Sequence, residues 1–254
     1  MYLYIADDMP ELIGKIKELK IIYRDKYLVA VNKPHGLLVH RTRISDEKNQ
    51  FALQILRDQV DQHVFPAHRL DRKTSGVLLF ALDQNMHRQM QLKFSLGKIQ
   101  KKYLAIVRGF CEEDGIIDYP IKKENGTIAE ALTRYKTIEQ VEIDIPSGHH
   151  QTSRYSFVEI FPETGRMHQI RKHFAHINHP IIGDRPHGCH IQNRIFKSKW
   201  NITTMMLHAD ELKFQHPATN KEIKIKAILH NEFRETIRIL GFDPHYNKSD
   251  SITL

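Results

Sequence analysis

The chain has 254 residues, enough for one large domain or two small ones with a substantial core. Its 38 lysine and arginine residues against 30 acidic residues give a formal net charge of +8 at pH 7, which fits a nucleic-acid partner or simply a basic protein. Two cysteines, Cys111 and Cys189, exclude a disulfide framework, and without a signal peptide or an apolar stretch of about 18 residues we expect a cytoplasmic protein.

The first part of the chain predicts two strands and two helices. Residues 27–31 are rich in β-forming side chains, and residues 51–60 place apolar side chains at helical spacing. Residues 77–82 are six consecutive apolar residues, which indicates a strand buried on both faces. Residues 83–97 predict a helix that begins at an aspartate cap, ends at a glycine and carries a stripe of methionines, which is typical of core packing.

The second part of the chain predicts mostly strands. Because strands outnumber helices and mostly do not alternate with them as βαβ units, we expect one α+β domain on a mixed, largely antiparallel β-sheet with flanking helices. We divide the chain into an N-terminal extension at 1–20, one folded domain at 21–245 and a polar tail at 246–254. The predicted elements are strands at 98–110, 131–138, 153–161, 205–214 and 222–228, and helices at 166–180 and 230–240.

The segment HRLDRKTSG places a single carboxylate, Asp71, among Arg69, Arg72 and Lys73, just before the buried strand. Nearby cations favour the ionised form of a carboxylate, so we expect Asp71 to be an anion at neutral pH. An ionised carboxylate can act as a nucleophile or a base, but not as a general acid. By itself, however, this segment is more typical of a surface turn whose charges neutralise one another.

Two further segments carry polar groups on regular structure. Tyr103 begins a strand behind two lysines, and an aromatic ring beside cations can stack on a nucleic-acid base. In TGRMHQIRKH, His168 and Arg171 are three residues apart and should share a helix face, from which Arg171 can pair with a carboxylate. Arg166 near the helix N-terminus suits a phosphate. In isolation, each segment is better explained by an ordinary structural role: a core tyrosine for the first and an exposed basic helix for the second.

Metal and nucleotide motifs are weak or missing. Histidines recur every three residues at 173–179, and residues 187–190 hold two histidines and a cysteine, but neither group has the paired spacing of a zinc site. The sequence contains no HExxH, GxGxxG, P-loop or GxSxG pattern. We therefore expect no metal and no cofactor.

Taken together, the three segments are more specific than any one of them. HRLDRKTSGVLLFA resembles the central motif of the RluA family of pseudouridine synthases, IQKKYLAIVRG its tyrosine motif, and TGRMHQIRKHFAHINHPIIGD its third motif, over about residues 21–228. The resemblance implies a pseudouridine synthase catalytic domain that isomerises a uridine of RNA without metal or cofactor. It also implies that Asp71 is the catalytic aspartate, that Tyr103 stacks on the target base and that Arg171 pairs with Asp71. Arg69 would help to displace the target nucleotide.

Other segments, among them DRPHGCHIQNR and MMLHADEL, are similar to the branch of the family that modifies uridine 65 of tRNA. We therefore expect a monomeric enzyme that acts on tRNA without an obligate protein partner or a membrane, and that contacts RNA through Arg69, Arg72, Arg166 and His168. Three alternatives remain open: the same reaction on an rRNA uridine, an RNA-binding protein without catalysis, and a zinc-dependent nucleic-acid module. The sequence does not decide whether Asp71 attacks the sugar C1′ or abstracts a proton.

Overall fold

The computed structural model describes residues 16–40, 50–123 and 125–243. Most of the predicted extension at 1–20 and all of the predicted tail at 246–254 lie outside these ranges, so the division of the chain stays a prediction. Residues 16–19 pair with the first helix region through side-chain amides: Gln50 bonds both backbone groups of Ile16, and Gln59 bonds both backbone groups of Leu19.

Twelve strands and five helices make up the described part of the chain. The helices are α1 Ala52–Val60, α2 Gln84–Ser95, α3 Gln169–His176, α4 His190–Trp200 and α5 Asn231–Leu240. The strands are β1 Lys20–Arg24, β2 Leu28–Lys33, β3 Phe65–Pro66, β4 Ser75–Ala81, β5 Gln100–Arg108, β6 Asp114–Asp118, β7 Ile121–Lys122, β8 Ile128–Ala129, β9 Leu132–Ile143, β10 Ser153–Pro162, β11 Leu207–Gln215 and β12 Glu222–Lys226.

Ten of the described strands form one sheet, in the order β1-β2-β4-β11-β5-β10-β9-β6, with β3 paired to β4 and β12 to β11. Every pairing is antiparallel except β4 with β11, which is parallel. β7 and β8 form a separate two-stranded hairpin. This arrangement confirms the predicted α+β class and the mixed, largely antiparallel sheet.

Strand β4 is a rigid support for the loop that precedes it. Its seven residues are all buried, and its side chains alternate between two apolar clusters: Leu78 and Phe80 pack with α1, while Val77 and Leu79 pack with the methionine stripe of α2. α2 begins as predicted, with the Asp83 carboxylate accepting a bond from the Met86 amide. The loop that carries Asp71 is therefore fixed at its C-terminal end by a strand covered on both faces.

Gly76 lies where strand β4 pairs with strand β11. Its register partner on β11 is Ala209, which in turn pairs with Tyr103 on β5, so Gly76, Ala209 and Tyr103 form one row across the sheet. Gly76 has a φ of +108°, and a Cβ there would overlap the carbonyl oxygen of Ala209. Only glycine allows β4 to approach β11 this closely, and that approach brings the Asp71 loop next to the strand that carries Tyr103.

The structure corrects two element predictions. The helix predicted over 166–180 is shorter, because residues 166–168 form a turn, His168 has a left-handed φ of 56°, and a second left-handed residue, Asn178, follows the helix. Helix α4 lies in a segment for which the sequence predicted nothing. Its short buried stripe, Gln192 and Phe196, includes a polar residue, so the segment lacks a clear apolar period.

Candidate active site

A cleft of about 1030 Å³ opens between the Asp71 loop, the start of β5, helix α2 and the turn before α3. One predicted site residue does not line it: the guanidinium of Arg72 lies on another side of the loop, where Nε donates to the carbonyl oxygen of Gly36 at 3.0 Å. The predicted residues that do line the cleft are Arg69, Asp71, Tyr103, Arg166, His168 and Arg171.

Arg171 joins two carboxylates. Its Nη1 donates to Asp71 Oδ2 at 3.0 Å, while Nε and Nη2 donate to Asp184 Oδ2 and Oδ1 at 2.7 and 2.8 Å. The Arg171 and Asp184 side chains are 6% and 1% exposed, whereas the Asp71 side chain is 20% exposed and opens into the cleft. The guanidinium is therefore held from behind by a buried bidentate pair and directs one of its three other N–H groups at Asp71.

The electrostatics of this triad keep Arg171 charged. Burial alone would lower the pKa of Arg171, but hydrogen bonds and charge from Asp184, and then from Asp71, raise its pKa above the ordinary value. A buried guanidinium is tolerated only when it is fully paired, and Asp184 supplies most of that pairing. Arg171 thus presents a permanent positive charge to Asp71.

Sequence reasoning missed Asp184, although it ends the motif HPIIGD. The side chain of Asn193 on α4 holds the backbone of this segment with two hydrogen bonds. It donates to the carbonyl oxygen of Asp184 at 2.7 Å and accepts from the amide of Gly183 at 2.9 Å. The position of this carboxylate depends on α4, the helix that was not predicted. The available signal was an acidic residue directly after a glycine inside an otherwise recognised motif.

Tyr103 stands in the cleft with its hydroxyl protonated. Burial, and then the negative charge of Asp71, raise the pKa of Tyr103 well above its ordinary value. Tyr103 lines the same cavity as Asp71. Its strand, β5, is separated from β4, the strand that supports the Asp71 loop, by the single strand β11. A neutral phenol on a strand offers a flat apolar surface in the cleft that Asp71 also lines.

His168 reaches Asp71 from a different position than the sequence predicted. It does not share a helix face with Arg171, since it precedes the helix in a left-handed conformation. Its Nε2 nevertheless lies 3.8 Å from Asp71 Oδ2, and its Nδ1 lies 3.1 Å from His187 Nε2. Burial lowers the pKa of His168 against the opposing influence of Asp71. The pair of imidazoles forms one side of the Asp71 environment.

Lysine and arginine side chains give the cleft a basic rim. Lys101 lines it, with Nζ donating to the Thr164 carbonyl at 3.0 Å, and burial together with repulsion from Arg166 lowers the pKa of Lys101 to about 8. Arg69 and Arg166 are exposed. The Gln169 amide fixes the turn that carries Arg166, because it accepts from the Arg166 amide and donates to the Leu132 carbonyl.

Lys33 anchors the Asp71 loop from below. It is fully buried, and its Nζ donates to the carbonyl oxygens of Pro34, Leu37 and Arg72 at 3.0, 2.8 and 3.1 Å. Burial lowers the pKa of Lys33 to about 7, although the charge of Asp71 opposes that shift. Sequence reasoning did not single out Lys33, because a lysine at the end of an apolar strand is ordinarily a surface residue.

Neither histidine-rich segment forms a metal cluster: across residues 16–40, 50–123 and 125–243, no three histidine, cysteine, aspartate or glutamate side chains are grouped to hold an ion. His173 instead contacts the Tyr119 carbonyl at 3.0 Å, and His176 stacks on the Tyr119 ring with centroids 3.6 Å apart. No helix in the described part of the chain is long and apolar enough to cross a membrane.

Comparison with known proteins places the chain in a family. A profile described as RNA pseudouridylate synthase matches residues 27–176. Proteins named tRNA pseudouridine synthase C from Vibrio parahaemolyticus and Haemophilus ducreyi are each 46% identical, over 237 and 235 residues, covering 89% of this chain and 96% and 97% of theirs. A solved structure, human RNA pseudouridylate synthase domain containing 4, superposes with a TM-score of 0.67 at 25% identity, covering 87% of this chain and 93% of that one. The chain belongs to the RNA pseudouridylate synthase family, the group of isomerases that its three motifs resemble.

Proposed function

We propose that this protein isomerises a uridine of tRNA to pseudouridine, with uridine 65 as the target and Asp71 as the catalytic carboxylate. The observation that carries the proposal is the pairing of Asp71 with Arg171 at 3.0 Å in a cleft that also holds Tyr103 and a basic rim. The choice of tRNA follows from the relatives that are 46% identical, and uridine 65 from the motif resemblance. We also propose that the enzyme acts as a monomer in the cytoplasm.

Binding must first expose the target base. A uridine inside a stacked stem reaches a cleft only after it is flipped out, which costs a few kcal/mol. We assign Arg69, Arg72, Arg166 and His168 to RNA contact. The three arginines grip phosphates, which offsets that cost in a salt-dependent way, whereas His168, whose pKa is lowered by burial, contributes as a hydrogen-bonding partner. Stacking on the Tyr103 ring would contribute about 1–3 kcal/mol and replace the contact that the base has lost.

The chemistry breaks one bond and forms another. The bond between N1 of uracil and C1′ of the ribose breaks, the base rotates, and a C5–C1′ bond forms while the C5 proton is lost and N1 gains one. The product has the same atoms as the substrate, so no oxidant or co-substrate is required. Asp71 either attacks C1′ or removes a sugar proton, and both routes need the ionised carboxylate that Arg171 stabilises.

The test is replacement of Asp71 by asparagine, assayed in a single turnover with unmodified tRNA transcript. We expect pseudouridine formation to be lost while tRNA affinity stays within about twofold, because Asp71 makes no phosphate contact in this scheme. Measurable turnover by the variant would reject Asp71 as the catalytic group. Pseudouridine mapping on total tRNA and rRNA from a deletion strain tests the target. Loss of pseudouridine at tRNA position 65 supports the proposal, whereas loss of pseudouridine at an rRNA position would identify rRNA as the substrate instead.

A further inference from the structure

A second cavity lies beside the cleft, and Arg166 is the one residue of its lining that the proposed function already assigns to RNA contact. It measures about 410 Å³, within the range of about 300–1,000 Å³ found for ligand sites. We call it the hairpin pocket, since the β7–β8 hairpin forms one wall. Its lining is Ile121, Lys122, Lys123, Asn125, Gly165, Arg166, Met167 and Lys172.

The two strands of the hairpin are partly exposed, and contacts at their base hold them in position. Ile128 on β8 is 71% exposed, so the two strands bury little besides Ile121 and contribute little to the core. Contacts at the base hold the hairpin against α3: the stacked pair of Tyr119 and His176, and the Lys172 ammonium, which donates to the Lys122 carbonyl at 3.3 Å. An element that adds so little to folding but is fixed in position is suited to contacting a partner.

The charges of the pocket do not cancel within the described residues. Four cations from three segments converge there: Lys122 and Lys123 from the hairpin, Arg166 from the turn and Lys172 from α3. Their recorded bonds go to backbone carbonyls, those of Lys172 to Lys122 and of Arg166 to Glu130, and no ion pair with a described carboxylate is recorded for any of the four. Like charges brought together in this way repel one another unless an anion lies between them.

The pocket is continuous with the catalytic cleft. Gly165, Arg166 and Met167 line both cavities, so the pocket is within reach of the nucleotides that flank a base in the cleft. The same three residues precede the N-terminus of α3, where the first amides of a helix have no intrahelical acceptor and favour an anion. Position, charge and backbone polarity therefore point to the same kind of ligand.

We propose that the hairpin pocket binds a backbone phosphate of the substrate RNA, next to the nucleotide that enters the cleft. This inference rests on the proposed function for the identity of the RNA. The lysines hold the phosphodiester, and Met167 offers an apolar contact to the adjoining sugar. The pocket fixes which nucleotide can reach Asp71, because a bound phosphate sets the register of the strand across the cleft.

The test compares three variants for binding and turnover on unmodified tRNA transcript. Lys122→Gln/Lys123→Gln removes the hairpin charges, and Lys172→Gln removes the charge contributed by α3. Lys20→Gln/Lys199→Gln removes two exposed lysines outside both cavities and serves as the matched control. For each protein, the dissociation constant for tRNA is measured over a series of salt concentrations, and KM and kcat are measured at one salt concentration. The melting temperature of each protein shows whether the substitution has changed its stability.

We expect the hairpin variant to bind tRNA on the order of tenfold more weakly at physiological salt, with the slope of log K against log salt reduced by about 1, the value for the loss of one phosphate contact. Lys172→Gln should reduce the slope by about 1, and in both variants KM should rise while kcat at saturation stays within twofold. The inference is overturned if both variants match the control pair. Binding uses tRNA as the probe and needs no turnover, so failure of the wild type to modify tRNA rejects the proposed function while the salt slopes still decide the pocket.

Discussion

Replacement of Asp184 by asparagine tests whether a buried carboxylate outside the cleft controls the reaction. The amide keeps the size of the side chain but loses its charge and places an NH₂ group where Arg171 donates at 2.7 or 2.8 Å. Because the Arg171 side chain is only 6% exposed, its guanidinium would be left buried with Asp71 as its remaining partner. Breaking a buried pair in this way costs about 3–5 kcal/mol of the free energy of unfolding.

The expected change can be measured by melting. A loss of 3–5 kcal/mol lowers the melting temperature of a domain of this size by roughly 6–20 °C. Turnover should fall on the order of 10²-fold, since a guanidinium drawn toward Asp71 or displaced by about 1 Å disturbs the reacting geometry, while KM for tRNA stays nearly constant. Calorimetry and single-turnover kinetics on the same preparation separate the two effects.

A second variant distinguishes a lost charge pair from general damage to the core. Asp184→Asn combined with Arg171→Met removes the unpaired charge, so the double variant should melt at a higher temperature than Asp184→Asn alone, while its turnover is no higher than that of the single variant. Asp71→Asn, at a position that is 20% exposed, should be less destabilising than Asp184→Asn. Melting of Asp184→Asn within about 2 °C of the wild type, or a double variant less stable than the single, would show that Asp184 does not stabilise a buried charge on Arg171.

Three further predictions concern the cleft and the sheet that supports it. Tyr103→Phe keeps the ring and should retain tRNA affinity, whereas Tyr103→Ala should lose about 1–3 kcal/mol of base stacking, seen as slower turnover; equal activity of the two would show that the ring is not a platform. The pKa of Lys101 is lowered to about 8, so this lysine is charged below that pH and neutral above it, and tRNA affinity should fall as pH rises from about 7 to 9 but not in Lys101→Arg. Gly76→Ala should cost at least about 2 kcal/mol in urea unfolding, because a Cβ overlaps the Ala209 backbone, while Gly97→Ala, where the added Cβ meets open space, should cost about 1 kcal/mol or less. Similar costs at the two glycines would contradict the close approach of β4 and β11.

Local patterns predicted elements well where one residue type dominates over a full element. The apolar run of β4 and the capped methionine stripe of α2 are examples, since each pattern depends on near neighbours in the chain. The patterns failed where tertiary contacts decide the backbone, as at His168, whose left-handed conformation makes the helix begin at Gln169 instead of at residue 166. They also failed at α4, where the buried face includes the polar Gln192, bonded to the hydroxyl of Tyr155.

By itself, the sequence determined the α+β class and the family, because strand and helix periodicity and three short motifs are local properties of the chain. It also indicated a carboxylate, a tyrosine and an arginine as the reacting set. The resemblance implied that Arg171 pairs with Asp71, and the structure contains that bond across 100 positions of the chain. Only the tertiary structure showed that the buried Asp184 holds the guanidinium in place. The pairing of ions and the burial of their charges depend on which elements pack together, and that depends on long-range contacts such as the approach of Gly76 to β11.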